Sequence, residues 1–232
     1  MLGSARRIVV LTGAGISVAS GLRPYRGPGG VWTDNPEAER ESAAPDLPQH
    51  PERIWKLFGP MRQAVVQARP NAAHLALARL EERCEVTLVT QNVDGLHLAA
   101  GSRNVLELHG SLLRSRCSAC ELPAFEDPHG EMRPCPGCGA LLRPDIVLFG
   151  EELPYRVSRA AFRACWDCDL FLAVGTSGNV APASRLVCEA QANGARTALV
   201  NLEPLDPPNP FFDQEFLGRA EELLPRLLEG AR

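Results

Sequence analysis

The sequence predicts an α/β fold built on a doubly wound parallel sheet. Short apolar runs, typical of strands that are covered on both faces, recur along the chain. These runs lie at residues 8–11, 85–90, 105–108, 169–174 and 197–202. Segments with helical periodicity stand between or after them, at residues 51–69, 72–83, 181–192 and 220–228. Strands that alternate with helices favour a parallel sheet with helices on both faces.

The composition narrows the range of functions. The 232 residues carry a net charge of −4, which disfavours nucleic acid as the main partner. The apolar run near the N-terminus is too short for a signal peptide, and no run approaches the ~18 residues of a membrane span. We therefore expect a cytoplasmic protein with no membrane partner. The sequence leaves its oligomeric state open.

The first strand ends in a glycine-rich turn at residues 12–17. Gly13 and Gly15 would let the backbone approach a phosphate, whose charge the N-terminus of a following helix favours. Val18 stands where a dinucleotide-binding fingerprint has its third glycine. The turn therefore fits nucleotide binding and an ordinary strand–helix connection equally well.

The next segments are a long loop and a capped helix. Residues 22–50 are rich in Gly, Pro, Asp and Glu and predict a loop with short helical pieces, and long ordered loops are usually functional. Asn71 is suited to cap the helix that begins after it. His74, inside that helix, is more typical of a structural histidine.

Polar residues follow the second and third strands. Gln91, Asn92 and Asp94 come after the run at 85–90, and doubly wound sheets bind their ligands at the carboxyl ends of strands. His109 follows the third run and is a candidate general base, although a structural role is equally compatible with its position.

Two Cys-x-x-Cys pairs are the most specific local signal. The four residues are Cys117, Cys120, Cys135 and Cys138. Four thiolates with this spacing favour a closed structural zinc site that has no open catalytic position. A third pair, Cys165 and Cys168, precedes an apolar strand and is predicted to be buried as small hydrophobic residues.

Taken together, the motifs resemble the signature of the sirtuins, NAD-dependent protein deacylases. The matching stretches are GAGIS at 13–17, SG at 20–21, YRG at 25–27, QNVD at 91–94, LHG at 108–110, FGE at 149–151, GTS at 175–177 and NLE at 201–203. They occur in the family's order, with the cysteine pairs in the expected place. Gly178 resembles the bacterial and mitochondrial class III branch.

The resemblance implies two domains with NAD between them. A Rossmann-like domain would comprise residues 1–26, 74–112 and 146–232. The smaller domain would combine a cofactor loop and helical module at 27–73 with a zinc-binding module at 113–145. One structural Zn²⁺ would keep the smaller domain folded without entering the chemistry.

The resemblance also implies the roles of individual residues. His109 would be the catalytic base. NAD would contact Gly13, Ala14, Gly15, Ser17, Arg26, Gln91, Asn92, Asp94, Gly175, Thr176, Ser177, Asn201, Glu203 and Ala220. The acyl-lysine protein or peptide would contact Arg62, Val147, Phe149, Gly150, Glu151 and Val180. An extended substrate would pair with residues 150–151 and 178–181 as an added strand.

The implied reaction transfers the acyl group of lysine to ADP-ribose. The acyl oxygen attacks the nicotinamide ribose as nicotinamide leaves, and neutral His109 then takes a proton from a ribose hydroxyl. That hydroxyl attacks the former acyl carbon, and water releases free lysine and O-acyl-ADP-ribose.

One position departs from the class III pattern. Many members carry a Tyr-x-x-Arg pair that binds a succinyl or malonyl carboxylate, and here the pair reads Gly59 and Arg62 across a short alignment gap. Arg62 would still offer a bidentate contact to a carboxylate, or else would be a solvated charge on a helix. Because the phenol is missing, we expect deacetylation, or removal of longer apolar acyl groups, to be favoured over desuccinylation.

Three other functions predict different products. A protein ADP-ribosyltransferase on the same NAD site would label an acceptor protein. A dehydrogenase would produce NADH, which the incomplete glycine fingerprint disfavours. A zinc-dependent binding protein would release no nicotinamide.

Overall fold

The computed structural model describes residues 3–178 and 180–229. The strands are β1 (Arg7–Thr12), β2 (Glu85–Thr90), β3 (Val105–Glu107), β4 (Gly110–Cys117), β5 (Phe125–Glu126), β6 (Leu142–Ile146), β7 (Leu170–Val174), β8 (Arg196–Asn201) and β9 (Gln214–Leu217). The helices are α1 (Val31–Asp34), α2 (Pro36–Ser42), α3 (Pro51–Gln67), α4 (Ala72–Leu80), α5 (Leu96–Ala99), α6 (Tyr155–Asp167), α7 (Leu186–Ala192) and α8 (Ala220–Glu229).

The larger sheet confirms the predicted doubly wound architecture. Its strand order is β3-β2-β1-β7-β8-β9, and all of the pairings are parallel. The chain builds outward from β1 to β3 and then returns to the other side of β1 with β7. The strand order therefore reverses between β1 and β7, which is where such sheets bind ligands.

Alternation along β1 shows how the sheet is covered on both faces. Ile8 and Val10 pack into one apolar cluster, together with α4 and α8. Val9 and Leu11 point the other way and pack with α6 and α7. Each fully buried side chain of this size contributes roughly 1.5–3 kcal/mol to folding. The continuous apolar runs of the sequence are thus explained by burial on both sides.

The third cysteine pair belongs to the second of these clusters, as the sequence predicts. Cys165 and Cys168 are buried, and burial raises the pKa of the two thiols to about 12 and about 11. Thiols with such pKa values stay protonated and behave as small hydrophobic groups.

Some elements differ from the sequence-based expectation. Strand β9 was not predicted, because it pairs only with β8 at the sheet edge and its residues are largely exposed. The helix expected at 181–192 begins only at Leu186, after a 3₁₀ turn at Ala183–Arg185. The helix expected at 72–83 ends at Leu80.

A smaller antiparallel sheet carries the cysteine pairs. Its order is β5-β4-β6, and α3 packs against it. The indole Nε1 of Trp55 donates to the carbonyl oxygen of Leu142 at 2.8 Å. Ile54, Phe58 and Ile146 contribute to a separate apolar cluster there. The helical segment and the cysteine-bearing segment therefore share one core.

Arg62 joins α3 to this sheet. Its guanidinium donates to the backbone carbonyls of Leu112 and Asp127, and to that of Leu113 at 3.4 Å. The residue is only 4% exposed. Arg62 is thus neither a solvated helix charge nor free to meet a ligand, because backbone oxygens occupy its donors.

No helix in the described part of the chain combines the length and apolar character needed to cross a membrane.

The turns after β1 and β7 are in direct backbone contact. The amide of Gly13 donates to the Val174 carbonyl at 3.0 Å, and that of Gly15 donates to the Gly175 carbonyl at 2.9 Å. A Cβ on Gly15 would lie 2.7 Å from the Cα of Gly175. Glycine is required here for close packing as well as for any approach to a phosphate.

We predict that Gly15→Ala destabilises the ligand-free protein by about 1–3 kcal/mol, because the added methyl meets backbone that cannot move aside. Gly59→Ala is the matched control. Apart from its own helix, its added Cβ meets no atom within 4 Å. Pro60 follows and disfavours a helical conformation for a preceding residue that has a Cβ, so any loss of stability comes from this local effect and should be smaller than that of Gly15→Ala. Urea unfolding without NAD measures both variants. Equal stability of Gly15→Ala and the wild type would contradict the packing argument.

Candidate active site

A cavity of about 1040 Å³ opens at the reversal of strand order between β1 and β7. Most residues predicted to contact NAD line it. They are Gly13, Ala14, Gly15, Arg26, Gln91, Asn92, Gly175, Thr176, Ser177, Asn201, Glu203 and Ala220. His109 and the predicted substrate residues Val147, Phe149, Gly150, Glu151 and Val180 line the same cavity. The structure therefore brings together residues that the sequence separates by up to 207 positions (220 − 13).

Three of the residues predicted to contact NAD or the substrate are not among those lining the cavity. Ser17 and Asp94 lie buried beneath it, and Arg62 is bound to the smaller sheet. The predicted strand-pairing segment 178–181 contains Asn179, which lies outside the described residues.

His109 is positioned by a neighbouring strand end. Its Nδ1 lies 2.8 Å from the carbonyl oxygen of Gln91. A carbonyl only accepts hydrogen bonds, so Nδ1 carries the proton and the lone pair of Nε2 remains available. Burial lowers the pKa of His109 below its ordinary value. The imidazole is therefore neutral near pH 7, as a general base requires.

A buried polar group fixes the Asn92 amide. Its Nδ2 donates to the carbonyl of Gly13 at 3.1 Å and to Ser17 Oγ at 3.3 Å. Ser17 in turn donates to Asp94 at 2.7 Å. Burial raises the pKa of Asp94. Ser17 and Asp94 thus act on the cavity through Asn92, whose orientation they set.

Two buried histidines lie behind this group. His74 Nε2 is 3.5 Å from Ser17 Oγ, and its ring centroid is 4.8 Å from that of His97. His97 Nε2 is 2.9 Å from the hydroxyl of Thr12. Burial lowers the pKa of His74 to about 4 and that of His97 to about 3, so both are neutral near pH 7. Sequence reasoning gave His97 no role, because only the fold places α5 against α4.

Thr176 connects the turn after β7 to the strands on either side. Its hydroxyl accepts from Gln91 Nε2 at 3.1 Å and from the backbone amide of Gly178 at 3.3 Å. Its carbonyl accepts from Asn201 Nδ2 at 3.4 Å. The polar side chains at three strand ends are therefore held in a fixed relation to one another.

Aromatic residues close one side of the cavity. The ring of Trp32 lies 4.6 Å from that of Tyr25 and 5.4 Å from that of Phe149. The Arg26 guanidinium lies over Trp32 at 5.2 Å and pairs with Glu39. These contacts hold the loop that contains Arg26 against the opposite wall. Sequence reasoning missed Trp32, although it lies in the long loop predicted to be functional.

The part of the cavity next to the smaller sheet is apolar. Phe58, Val93, Ile146 and Leu148 line it and belong to the core shared with that sheet. The nearby carboxylate of Glu151 is bound by Arg143 at 2.7 and 2.9 Å. This end of the cavity is suited to an uncharged, apolar group.

The predicted carboxylate contact of Arg62 finds no support in this geometry. The guanidinium is directed to the backbone of β4 and of the 126–130 segment, and burial lowers its pKa. Arg62 has a structural role in this protein, because using it for a ligand would take its guanidinium away from the carbonyls of Leu112 and Asp127. The Leu113 carbonyl also accepts from the Asp127 amide, at 3.1 Å.

The four cysteines of the Cys-x-x-Cys pairs converge at one point. Their Sγ atoms all lie within 4.8 Å of one another, with Cys117–Cys138 at 3.5 Å and Cys120–Cys135 at 3.7 Å. A tetrahedral zinc with ~2.3 Å bonds places its sulfurs ~3.8 Å apart. Backbone amides, including that of Gly137 at 3.3 Å from Cys135 Sγ, donate to the sulfurs and would stabilise thiolates. The group therefore fits a structural Zn²⁺.

Known proteins resemble this chain over most of its length. A family model described as the Sir2 family matches residues 13–182. An NAD-dependent protein deacylase 2 from Pyrobaculum aerophilum is 45% identical over 99% of this chain and 92% of its own length. A solved Sir2 homolog–NAD complex has a TM-score of 0.87 at 38% identity, covering 97% of this chain and 89% of that one. A Sir2–p53 peptide–NAD⁺ complex has a TM-score of 0.82 at 32% identity, covering 98% and 94%.

We predict that Cys135→Ser reduces zinc content below one per chain and destabilises the protein by more than about 2 kcal/mol, because the smaller sheet loses a buried crosslink. Cys188→Ser, at a half-buried cysteine outside the cluster, is the control. Metal analysis and urea unfolding measure the two effects. Full zinc content together with unchanged stability in Cys135→Ser would disprove the four-cysteine site.

Proposed function

The chain belongs to the Sir2 family, and from this premise we propose that it is an NAD-dependent protein-lysine deacylase. The products would be nicotinamide, O-acyl-ADP-ribose and free lysine. The observation that carries the proposal is a neutral imidazole, His109, in one continuous cavity with the residues that match the family's NAD motifs.

The lining residues divide into two groups by chemistry. The glycine turns after β1 and β7 would take the phosphates, because their backbones come close without side chains. Asn201, the last residue of β8, and Glu203, just after it, would take the adenosine ribose, with Ala220 beside the adenine. Gln91 and the fixed Asn92 would hold the nicotinamide end, next to His109.

The protein would contribute a general base, a carbonyl that holds this base in place and side chains that exclude water. NAD supplies the ribose hydroxyls and the nicotinamide leaving group. His109 Nε2 would accept the proton of a ribose hydroxyl, and the Gln91 carbonyl would stabilise the positive charge that this places on the ring. Trp32 and Phe149 would exclude water from the cavity while charge develops on the sugar.

The apolar end of the cavity indicates the class of acyl group. Phe58, Val93, Ile146 and Leu148 provide no charge for a carboxylate, and Arg62 is occupied elsewhere. An acidic acyl group would be buried without a partner, which is costly. We therefore propose deacetylation, or removal of longer apolar acyl groups, as the main activity.

Two further features of the proposal concern organisation and location. Each of the two proposed domains would contain one of the two sheets, and the substrate peptide would add a strand near Gly150 and Val180. Cysteines that bind zinc must stay reduced, which favours the cytoplasm.

We predict that His109→Ala lowers deacylation by at least about 10²-fold while NAD affinity is retained. In the wild type, kcat/KM should be level near pH 7 and should fall as the pH drops, because protonation removes the base. Since burial lowers the pKa of His109, the midpoint of this fall should lie below pH 6.5. Rate measurements across pH, with His50→Ala at a half-buried position as control, provide the check. Substantial turnover by His109→Ala would overturn the assignment.

We also predict that kcat/KM for acetyl-lysine peptides exceeds that for succinyl-lysine peptides by at least about tenfold. Mass spectrometry of matched peptides with NAD, following free lysine peptide and O-acyl-ADP-ribose, measures the ratio. Arg62→Gln should lower stability without changing this ratio. A higher rate on succinyl-lysine, or a ratio that shifts strongly in Arg62→Gln, would contradict the proposed acyl site. Labelled acceptor protein without peptide turnover would indicate ADP-ribosyl transfer instead.

A further inference from the structure

Helix α6 presents a row of three exposed arginines. Arg156, Arg159 and Arg163 are spaced three and four residues apart, so they are neighbours on one side of the helix. We name these residues the α6 arginine face. Tyr155 and Trp166, also exposed, stand at its two ends.

The arginine face has no partner within the described residues. None of its three side chains makes a hydrogen bond or an ion pair there, and the only acid in α6 is Asp167 at the far end. The nearby Glu151 is bound by Arg143. The face is therefore a concentrated positive charge on a protein whose net charge is −4.

This arrangement does not serve the stability of the helix. Like charges three and four residues apart repel each other. Arg156 lies in the first turn, where the helix dipole disfavours cations and where no acidic residue is present. The helix also begins after Pro154 without a side-chain cap. Helix stability therefore does not explain these three arginines, whereas binding of a negatively charged partner would.

The face begins at the rim of the active-site cavity. Tyr155 and Ser158, both in the first turns of α6, line the cavity, together with the preceding residues 150–153. Arg159 is next to Ser158 and one turn beyond Tyr155. From Tyr155 to Trp166 the face leads away from the cavity for roughly 16 Å along the helix. A peptide that leaves the cavity on this side would pass over it.

We propose that the α6 arginine face selects protein substrates that carry Asp or Glu residues on one side of the acyl-lysine. This inference rests on the proposed deacylase function and specifies its substrate class. Arg159 and Arg163 are about 6 Å apart along the helix axis, close to the ~6.7 Å between alternate residues of an extended peptide. Acidic residues at alternate positions therefore meet successive arginines, whose guanidinium groups bind carboxylates well.

The expected effect is moderate and depends on salt. An exposed ion pair of this kind changes affinity by up to about fivefold, and two pairs together by about tenfold. Because the face is exposed, added salt should weaken the preference. The effect should fall on KM, since the arginines do not touch the reacting atoms.

The test compares acetyl-lysine peptides that differ only in their flanks. One set carries Glu at alternate positions on one side of the acetyl-lysine, a second set on the other side, and matched peptides carry Gln or Lys. The variant is Arg159→Glu. Arg226→Glu, at an exposed position of α8, is the control with the same change in net charge. Steady-state kinetics are paired with direct peptide binding by fluorescence anisotropy, which does not require turnover.

The expected result is that the wild type shows a fivefold to tenfold lower KM for the Glu-flanked peptide on one side. Arg159→Glu should abolish this preference and improve the Lys-flanked peptide, with kcat for the Gln-flanked peptide unchanged. Arg226→Glu should behave as the wild type. Failure to turn over the Gln-flanked peptide would count against the deacylase function, and anisotropy would still test the charge preference.

Three results would overturn the inference. One is equal binding of Glu- and Gln-flanked peptides. Another is an equal loss in Arg226→Glu, which would make net charge the cause. The third is Arg159-dependent binding of single-stranded RNA in the absence of any acidic-peptide preference, which would assign the face to nucleic acid.

Discussion

The active site depends on the contact between two glycine turns at the centre of the larger sheet. Gly15 and Gly175 bring the ends of β1 and β7 so close together that their backbones form hydrogen bonds with each other. This contact lies where the strand order reverses, so it forms the floor of the cavity. Thr176, directly after Gly175, accepts hydrogen bonds from the side chains of Gln91 and Asn201. The contact between Gly15 and Gly175 therefore sets the relative positions of side chains at the ends of β2, β7 and β8.

Buried polar side chains form a layer beneath the floor of the cavity. Buried polar groups are costly unless they are paired, and a complete network fixes its members in one arrangement. Ser17, Asp94 and Asn92 are bonded to one another, and His74 and His97 remain neutral behind them. Within the described residues, His97 Nδ1 has no hydrogen-bond partner. This layer determines the orientation of Asn92 at the cavity surface. The polar residues that line the cavity are therefore supported by others that no ligand touches.

Local sequence signals predicted the features that local forces determine. Continuous apolar runs predicted the central strands, because those strands are buried on both faces, and cysteine spacing predicted the metal cluster, because the ligand geometry restricts it. Other features depend on contacts between distant segments. Strand β9 lacks an apolar run because it lies at the edge, and the position of Arg62 follows from carbonyls about 50 or more residues away. No periodicity or spacing indicates such a contact.

The contacts of Arg62 also constrain how the acyl preference of this protein could evolve. Restoring a tyrosine at Gly59 would not by itself recreate a carboxylate site, because the guanidinium would first have to leave the carbonyls of Leu112, Leu113 and Asp127. Gly130 packs directly against the same side chain, so residues in both segments would have to change together. Releasing the Arg62 guanidinium would lose stability before any new specificity appeared. Such epistasis would make the proposed apolar acyl site resistant to gradual conversion by natural selection.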